Sequence, residues 1–303
     1  MTTGVLVMAH GTPSSTDGVE AFYTRIRRGS PPSPEQLADL VSRYEAIGGV
    51  SPLTERTAAQ VAGIAAALER DAPGAFDVRF GSKFEPPLLE EAAASFRADG
   101  FEKVVGIVLA PHSSSMSTGQ YLSRAREALG DDVEFVAVNA WYDAPGFLEL
   151  IARRVNDALA TIPDERRDTT EVIFSAHSLP TRVVEQGGDT YPEQLRESAE
   201  LAAKLAGLSS FDVAWQSAGR TPEPWLGPDI LVALREKAAN GVTDVVSCPV
   251  GFVSDHLEVV FDIDIEAQGV ARDVGLNLVR TASLNDDPEF TSVLANVVRH
   301  AAE

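Results

Sequence analysis

The chain has 303 residues, and at the usual size of about 100–200 residues per domain this length predicts two domains. Its 45 acidic side chains outnumber the 25 lysines and arginines, and the formal charge of −20 argues against nucleic acid or an anionic membrane as partner. The first residues lack a basic, apolar leader pattern, and no window approaches the ~20 apolar residues of a membrane span. We therefore expect a cytoplasmic protein without stable membrane insertion.

Cys248 is the single cysteine of the chain. One cysteine excludes a disulfide framework within the chain, and it excludes an iron–sulfur cluster held by several cysteines of the same chain. Free cysteines are among the most buried residues, so we expect Cys248 to be a buried thiol in a strand.

Strand-like apolar runs alternate with longer helical patterns along the chain. In the first half the strands are predicted at 5–9, 76–81, 104–110 and 134–138, with helices at 54–70 and 88–97. In the second half strands are predicted at 171–176, 211–216 and 244–250, with helices at 192–206, 229–240 and 288–302. This order is typical of parallel α/β sheets flanked by helices.

The second half repeats motifs of the first half. Residues 9–13 read AHGTP and residues 176–180 read AHSLP, each after a predicted strand; residues 76–82 (FDVRFGS) are echoed at 211–217 (FDVAWQS). Such self-similarity indicates an internal duplication. We predict two similar Rossmann-like domains, 1–143 and 144–303, with an active-site cleft between them and the final helix, 288–302, as a candidate to pack back on the first domain.

Four histidines follow predicted strands: His10, His112, His177 and His256. Ligands of open parallel sheets bind outside the carboxyl ends of the strands, so these imidazoles are expected on the two walls of the cleft. There they could bind a metal or accept protons. The alternative for any one of them is a structural hydrogen bond. His300 lies outside this pattern and is expected at the surface.

The segment 255–266 (DHLEVVFDIDIE) concentrates acidic side chains. In a helix, Glu258, Asp262 and Glu266 share one face, where each like-charged pair costs about 0.2–0.5 kcal/mol unless a cation intervenes, and Asp255 extends the stripe. Carboxylates together with imidazole suit transient handling of Fe²⁺. The alternatives are a solvated acidic face, and a strand in which apolar and acidic residues alternate.

Basic residues cluster at 25–29 (RIRRG) in this otherwise acidic chain, and Arg43-Tyr44 follows further on. Guanidinium groups are the usual partners of carboxylates, so the cluster is a candidate contact for an acidic substrate. The alternative is the end of a helix, where cations are favoured.

Seven motifs in order resemble the ferrochelatase family, and the resemblance runs from Val5 to about Val298. These are GTP at 11–13, YEAIGGVSPL at 44–53, LAPHSSSMSTGQY at 109–121, FSAHSLP at 174–180, YPEQ at 191–194, WQSAGRTPEPWLGP at 215–228 and PVGFVSDHLE at 249–258. Sirohydrochlorin and cobalt chelatases share the folding plan but typically lack this full set.

The resemblance implies a metal-chelating lyase that holds a porphyrin between its two domains. His177 would bind incoming Fe²⁺ and help to remove pyrrole protons, and Glu258 would act as proton acceptor and metal ligand. Asp262 and Glu266 match an acidic ridge that serves as a relay or as a secondary site for hydrated divalent ions such as Mg²⁺. The family's helix in this region carries a local π-type widening.

Within the family the chain is similar to the coproporphyrin III ferrochelatases of Gram-positive-type bacteria. Coproporphyrin III carries four propionates and protoporphyrin IX carries two. A cleft entrance lined by basic side chains therefore fits coproporphyrin III better than protoporphyrin IX. The alternative substrate is protoporphyrin IX. By this similarity the residues expected to bind the porphyrin are His10, Arg27, Arg28, Arg43, Tyr44, Ser51 and Tyr121.

His10 departs from the family pattern, because close relatives carry a tyrosine that approaches the iron of the product from the face opposite the catalytic histidine. Imidazole is a stronger neutral ligand for Fe²⁺ than a protonated phenol, so His10 is expected to be an axial ligand of the product iron.

The resemblance also implies which cofactors and partners the chain has. Fe²⁺ is a substrate and no prosthetic group is expected. The product would pass to an acceptor enzyme of haem biosynthesis, and the chain is expected to be a monomer. The rival functions are a non-catalytic haem or iron chaperone on the same fold and a periplasmic-type binding protein, of which the second is disfavoured because no leader pattern is present.

Overall fold

The computed structural model describes residues 2–219 and 221–303. Met1, in the first predicted domain, and Arg220, in the WQSAGRTPEPWLGP motif, lie outside the described residues. The strands are β1 Thr3–Ala9, β2 Phe76–Ser82, β3 Lys103–Val108, β4 Glu134–Val138, β5 Glu171–His177, β6 Asp212–Gln216, β7 Asp244–Cys248 and β8 Asn277–Arg280.

Helices connect these strands. They are α1 Val19–Ile26, α2 Pro34–Ala46, α3 Leu53–Asp71, α4 Leu89–Ala98, α5 Thr118–Leu129, α6 Phe147–Ala160, α7 Asp164–Arg167, α8 Thr181–Glu185, α9 Tyr191–Ala206, α10 Ile230–Ala239, α11 Leu257–Phe261, α12 Gln268–Asp273 and α13 Pro288–Ala302, with a 3₁₀ turn at Thr16–Gly18 and a π-helical segment at Asp262–Ala267. Among the described residues, none of these helices is both long and apolar enough to cross a membrane.

The strands form two four-stranded sheets in which every pair is parallel. Their orders are β2-β1-β3-β4 and β6-β5-β7-β8, so the second half repeats the topology of the first. The predicted fold of two similar α/β units with parallel sheets is confirmed. The strand β8 was not predicted, because a run of four residues is too short to show a strand pattern. It is recognisable only by its parallel pairing with β7, in the register Asp244↔Asn277.

The topology explains why the strand ends matter. From the middle strand β1 the chain crosses first to β2 on one side and then to β3 on the other, and β5, β6 and β7 repeat this path. The loops that leave β1 and β3, and those that leave β5 and β7, therefore diverge and open a crevice at a topological switch point. His10 and His112 follow the first pair of strands, and His177 and His256 end or follow the second pair.

One apolar core joins the two sheets. Val5 and Val7 of β1 belong to the same buried cluster as Phe174 of β5 and Val246 of β7. The helices α3, α6, α9 and α13 contribute to this cluster, and α13 packs mainly on α3 of the first half. Because helices of the second half share a core with both sheets, the domain boundary at 143/144 stays a prediction. Cys248 is buried in β7, as predicted.

Phe290→Ala tests the packing of α13 on the shared core. Phe290 is fully buried, and its ring centroid lies 5.9 Å from that of Trp141 and 6.5 Å from that of Phe147. Removing a buried phenyl ring leaves a cavity, so we expect the free energy of unfolding in urea to fall by about 3–5 kcal/mol. Val232→Ala, at a position 45% exposed on α10, should change it by less than about 0.5 kcal/mol. An equal effect of the two substitutions would contradict this packing.

Candidate active site

His177 is the last residue of β5, and its ring is held in one tautomer. The ring Nδ1 lies 2.5 Å from the carbonyl oxygen of Ser178, and because a carbonyl only accepts, Nδ1 is the donor. The Tyr191 hydroxyl donates to the carbonyl of His177 at 3.1 Å. In the neutral ring the lone pair therefore lies on Nε2, which is 3.5 Å from Oε1 of Glu258. This nitrogen is available to a metal or to a proton.

Glu258 reaches His177 because the loop after β7 packs tightly on the end of β5. The amide of Gly251 donates to the carbonyl of Ser175 at 3.0 Å, and a side chain at 251 would collide with Ala176. His256 then caps α11, because its Nδ1 accepts from the amide of Glu258 at 3.1 Å. The cap places Glu258 in the first turn of the helix, opposite His177.

The pair exists as an ion pair before substrate binds. Burial alone would lower the pKa of His177, but the Glu258 carboxylate reverses this effect and raises the pKa to about 9. Burial raises the pKa of Glu258, and the His177 imidazolium outweighs it and lowers the pKa to about 2. The side chains keep 34% and 40% of their surface exposed, so solutes reach both. A metal ion that binds Nε2 must displace a proton.

Side chains from both halves converge on Glu258. Its charge acts on the pKa of groups in the first half and of others in the second half, which places all of them within electrostatic reach of one carboxylate. They are His10, Tyr44 and Tyr121 from the first half and His177, Tyr191 and His256 from the second. The residues that the sequence analysis took from two distant motifs thus surround a single centre.

His10 mirrors His177 in its hydrogen bonding. It follows β1, its ring is exposed, and Nδ1 donates to the carbonyl of Gly11 at 3.0 Å. Phe84 and Phe22 contact the ring edge-on, with centroid distances of 4.8 Å and 5.8 Å. The free Nε2 lone pair is the one that a metal ligand needs, whereas its role toward a product iron stays a prediction.

His112 does not line the cleft, and the prediction that it does so is wrong. The residue is 2% exposed, and its Nε2 lies 2.7 Å from Oγ of Ser198 on α9. Burial lowers the pKa of His112 to about 3, so the ring is neutral. Its ring stacks on Tyr142 at 5.7 Å between centroids. For His112 the alternative, a structural hydrogen bond, is the correct one, because the loop after β3 packs on α9. His300 is exposed, as predicted.

The acidic segment is helical, so the strand alternative is wrong. Glu258 lies in α11, and Asp262 and Glu266 lie in the π-helical segment that follows. This is the local widening that the family resemblance implied. Asp255 does not extend the acidic face, because Ser283, Asn285 and Arg280 hold its carboxylate at 2.8–3.1 Å.

Asp262 is the buried member of the acidic face. Burial raises its pKa to about 7, and the charge of Glu258 contributes to the rise. The Ser217 hydroxyl donates to Oδ2, and Arg43 lies 3.9 Å from Oδ1; both contacts favour the ionised form. Near neutral pH the carboxyl is therefore close to half protonated, and it can take up or release a proton.

A small cavity of about 120 Å³ adjoins Asp262 and Glu266, with Arg43 and Ser217 in its wall. Within residues 2–219 and 221–303, no three His, Cys, Asp or Glu side chains form a cluster that could hold a metal ion. Mg²⁺ at this cavity stays a prediction.

The residues predicted to bind the porphyrin differ in exposure. Tyr44, Ser51 and Tyr121 are buried, at 2–4% exposed. The Tyr44 hydroxyl bonds with Oγ1 of Thr12 at 2.9 Å. Ser51 accepts from the amide of Leu53 at 3.3 Å.

The predicted arginines lie nearer the surface. Arg43 pairs with Asp39 at 3.3 Å, and Arg27 places its guanidinium 5.7 Å from the Tyr23 ring centroid and donates to a backbone carbonyl. Arg25 lies in the last turn of α1, as the helix-end alternative suggested, and Arg28 is exposed beyond the helix. Their contacts with substrate stay predictions.

Sequence reasoning missed two residues at the site, Ser217 and Lys83. Ser217 has a φ of +61°, in the left-handed region that is strained for a side chain with Cβ, and this geometry aims its hydroxyl at Asp262. The duplication contained the signal, because Ser82 and Ser217 close the two matching FDV motifs. Lys83, which follows Ser82, is 8% exposed and was not singled out.

Comparisons with known proteins agree with these features. The family model described as Ferrochelatase matches residues 2–302. The chain is 44% identical to the Ferrochelatase of Herpetosiphon aurantiacus, over 98% of each chain. It is 45% identical to the Coproporphyrin III ferrochelatase of Halalkalibacterium halodurans (98% and 96% covered) and 44% identical to that of Bacillus subtilis (97% and 96% covered).

Solved structures support the fold alone at their low sequence identity. CbiX, the terminal enzyme for biosynthesis of siroheme in denitrifying bacteria, matches with a TM-score of 0.57 at 14% identity, over 98% of this chain and 99% of its own. The sirohydrochlorin chelatase SirB from Bacillus subtilis subspecies spizizenii, in complex with cobalt, matches with a TM-score of 0.59 at 12% identity, over 100% and 96%.

Glu258→Gln tests the ion pair directly. The substitution removes the carboxylate that opposes the effect of burial, while the Ser178 carbonyl and the charge of Asp262 still raise the pKa of His177. This pKa should therefore fall clearly below about 9. NMR titration of the imidazole resonances measures this pKa in the free protein. Glu266→Gln is the matched control and should leave it unchanged. If the His177 pKa stays high in Glu258→Gln, the pairing is not its cause.

Proposed function

We propose that this chain, which belongs to the ferrochelatase family, inserts ferrous iron into coproporphyrin III and yields iron coproporphyrin III during haem biosynthesis. Relatives named Coproporphyrin III ferrochelatase, 42–45% identical over nearly the full length, support this substrate. The observation that carries the proposal is the His177 Nε2 atom, 3.5 Å from Glu258 and surrounded by side chains of both halves.

The proposed reaction exchanges one metal ion for two protons. Fe²⁺ replaces the proton on Nε2 of His177, which leaves to solvent, and contacts the Glu258 carboxylate. The two side chains together offer one nitrogen and one oxygen ligand. Two such ligands leave most of the coordination shell to water and then to the pyrrole nitrogens. The site therefore suits transfer of the ion better than storage.

The two pyrrole N–H protons need acceptors as the Fe–N bonds form. Glu258 is ionised in the free protein and takes the first proton in our scheme. Glu258 hands this proton to Asp262, whose pKa is about 7, and can then take the second pyrrole proton; Asp262 passes both toward Glu266 and the cavity that both line. His177 is regenerated by a proton from solvent once the metal has left. We further propose that closure of the cleft bends the macrocycle, so that its lone pairs turn toward His177.

An anaerobic assay with Fe²⁺ and catalytic amounts of protein tests the function. Many turnovers of coproporphyrin III, at a higher kcat/KM than for protoporphyrin IX, are expected. A preference for protoporphyrin IX would overturn the substrate assignment. Binding of iron or haem without turnover would indicate a carrier instead.

His177→Ala should reduce iron insertion by about 100- to 10,000-fold, because the variant lacks both a metal ligand and a proton-transferring group. Binding of coproporphyrin III, followed by fluorescence without iron, should change by less than about twofold, since the loss affects the chemical step. His300→Ala removes an exposed imidazole and serves as the control. Turnover of His177→Ala at the wild-type rate would refute the assignment.

Asp262→Asn tests the proton path through the pH dependence of insertion. Ionised Asp262 is the acceptor, so the rate should rise as pH increases through about 7, and Asp262→Asn should remove this rise. Ser217→Ala should move it to higher pH, because the Ser217 hydroxyl lowers the pKa of Asp262. A wild-type pH profile in Asp262→Asn would exclude this residue from the path.

His10→Ala should change the visible spectrum of the complex with iron coproporphyrin III and speed transfer of the product, because the variant loses the proposed axial imidazole. The first turnover should stay close to the wild-type rate. His10→Tyr, which restores the residue of close relatives, should give a third spectrum. Identical spectra of wild type and His10→Ala would leave His10 with a structural role.

A further inference from the structure

A cavity of about 590 Å³ has a basic wall in this acidic protein. It lies between the turn after α1, the loop after β2 and the first half of α5. None of the described residues that line it is acidic. The polar and aromatic side chains in its wall include Arg25, Arg28, Lys83, Phe84, Gln120 and Arg124.

Two of the four cations in this wall already have carboxylate partners. Arg25 forms an ion pair with Glu85, and Arg124 pairs with Glu90 at 2.5 Å. Arg124 also donates to the backbone carbonyl of Lys83 at 3.3 Å, which holds the loop after β2 on α5. Among residues 2–219 and 221–303, no acidic group pairs with the other two cations, Lys83 and Arg28.

Lys83 differs from Arg28 in its burial, since 92% of its surface is buried. Its Nζ lies 4.7 Å from the ring centroid of Tyr121 and 5.3 Å from that of Phe84, and within the described chain it makes no hydrogen bond. The two rings attract the ammonium. Nζ is not among the fully buried polar atoms that lack a partner, so the stem is buried while the ammonium stays accessible. Burial, with the nearby charges of Arg124 and Arg28, lowers the pKa of Lys83 to about 8. An anion in the cavity would pair with this charge.

The cavity adjoins the proposed metal centre. Phe84, in the cavity wall, also contacts His10 at 4.8 Å between ring centroids. Tyr121, over which Lys83 lies, is within electrostatic reach of Glu258. The charge of Lys83 also acts on the pKa of His10, so the two side chains are within electrostatic reach of each other. A macrocycle held between His10 and the pair of His177 and Glu258 would have Lys83 near its edge.

We infer that Lys83, assisted by Arg28, binds a carboxylate side chain of the porphyrin in this cavity. The inference rests on the proposed function and adds a specificity-determining residue to it. An ammonium group has three donors and no acceptor, so it suits an ionised propionate, and the bond is charge-assisted. Arg27 is less suited, because its guanidinium contacts the Tyr23 ring and a backbone carbonyl.

Equilibrium binding of coproporphyrin III without iron, measured by fluorescence, tests the inference. Lys83→Met keeps the length of the stem and removes the charge, and it should weaken binding about tenfold, the effect of losing one charged hydrogen bond. Lys83→Arg should restore most of this loss. Lys204→Met removes the same charge from an exposed position on α9 and is the matched control. In turnover, Lys83→Met should raise the KM for the porphyrin and leave the KM for Fe²⁺ within about twofold.

Unchanged porphyrin affinity in Lys83→Met, or a loss equal to that of Lys204→Met, would overturn the inference. Inorganic phosphate distinguishes a porphyrin carboxylate from a free anion. If Lys83→Met weakens the binding of phosphate but not that of the porphyrin, the cavity binds an anion other than the porphyrin carboxylate. Thermal unfolding of each variant detects misfolding. Arg28→Gln, at an exposed position, provides a second measurement of how this cavity affects porphyrin affinity.

This inference and the proposed function can fail separately. If coproporphyrin III binds in a Lys83-dependent way and no iron is inserted, the anion subsite stands and the proposed function falls. If iron is inserted with normal porphyrin affinity in Lys83→Met, the proposed function stands and the subsite falls.

Discussion

The proposed chemistry depends on one contact, between Nε2 of His177 and Oε1 of Glu258. The two residues are far apart in the sequence, and each is fixed by its own backbone surroundings. The carbonyl of Ser178 selects the tautomer of the imidazole, and His256 caps the helix that presents the carboxylate. Because each charge stabilises the other, the free protein holds a proton on the nitrogen that binds the metal in our proposal. In this proposal metal entry and proton release are coupled at a single nitrogen.

The duplicated fold has two walls of opposite electrostatic character. Each half has an imidazole at or just after the end of a central strand, and its Nδ1 donates to the next carbonyl, but only His177 has Glu258 directly beside it. The wall of the second half is acidic and suits metal ions and protons. The wall of the first half carries Lys83 and Arg28 and suits the anionic edge of a porphyrin. This polarity favours one orientation of the macrocycle in our proposal, although the two halves share one topology.

Much of this arrangement was predictable, because local patterns encode local structure. The alternation of strands and helices predicted the fold, and repeated motifs at strand ends predicted which loops face each other. The four-residue strand β8 was not predicted, because its pairing with β7 leaves no pattern in the local sequence. The burial of His112 was not predicted for a related reason. Its place after β3 matched that of the other histidines, and only the docking of its loop on α9 buried it.

The sequence by itself determined the fold class, the family motifs and the candidates His177 and Glu258. Tertiary structure alone decided their protonation, because a pKa depends on burial and on charges brought near by folding. It also decided that Asp262 is buried beside Ser217 and that Lys83 has no acidic partner among the described residues. Such pairings join residues that are distant in the chain. No spacing or composition encodes them, so they follow only from the packed molecule.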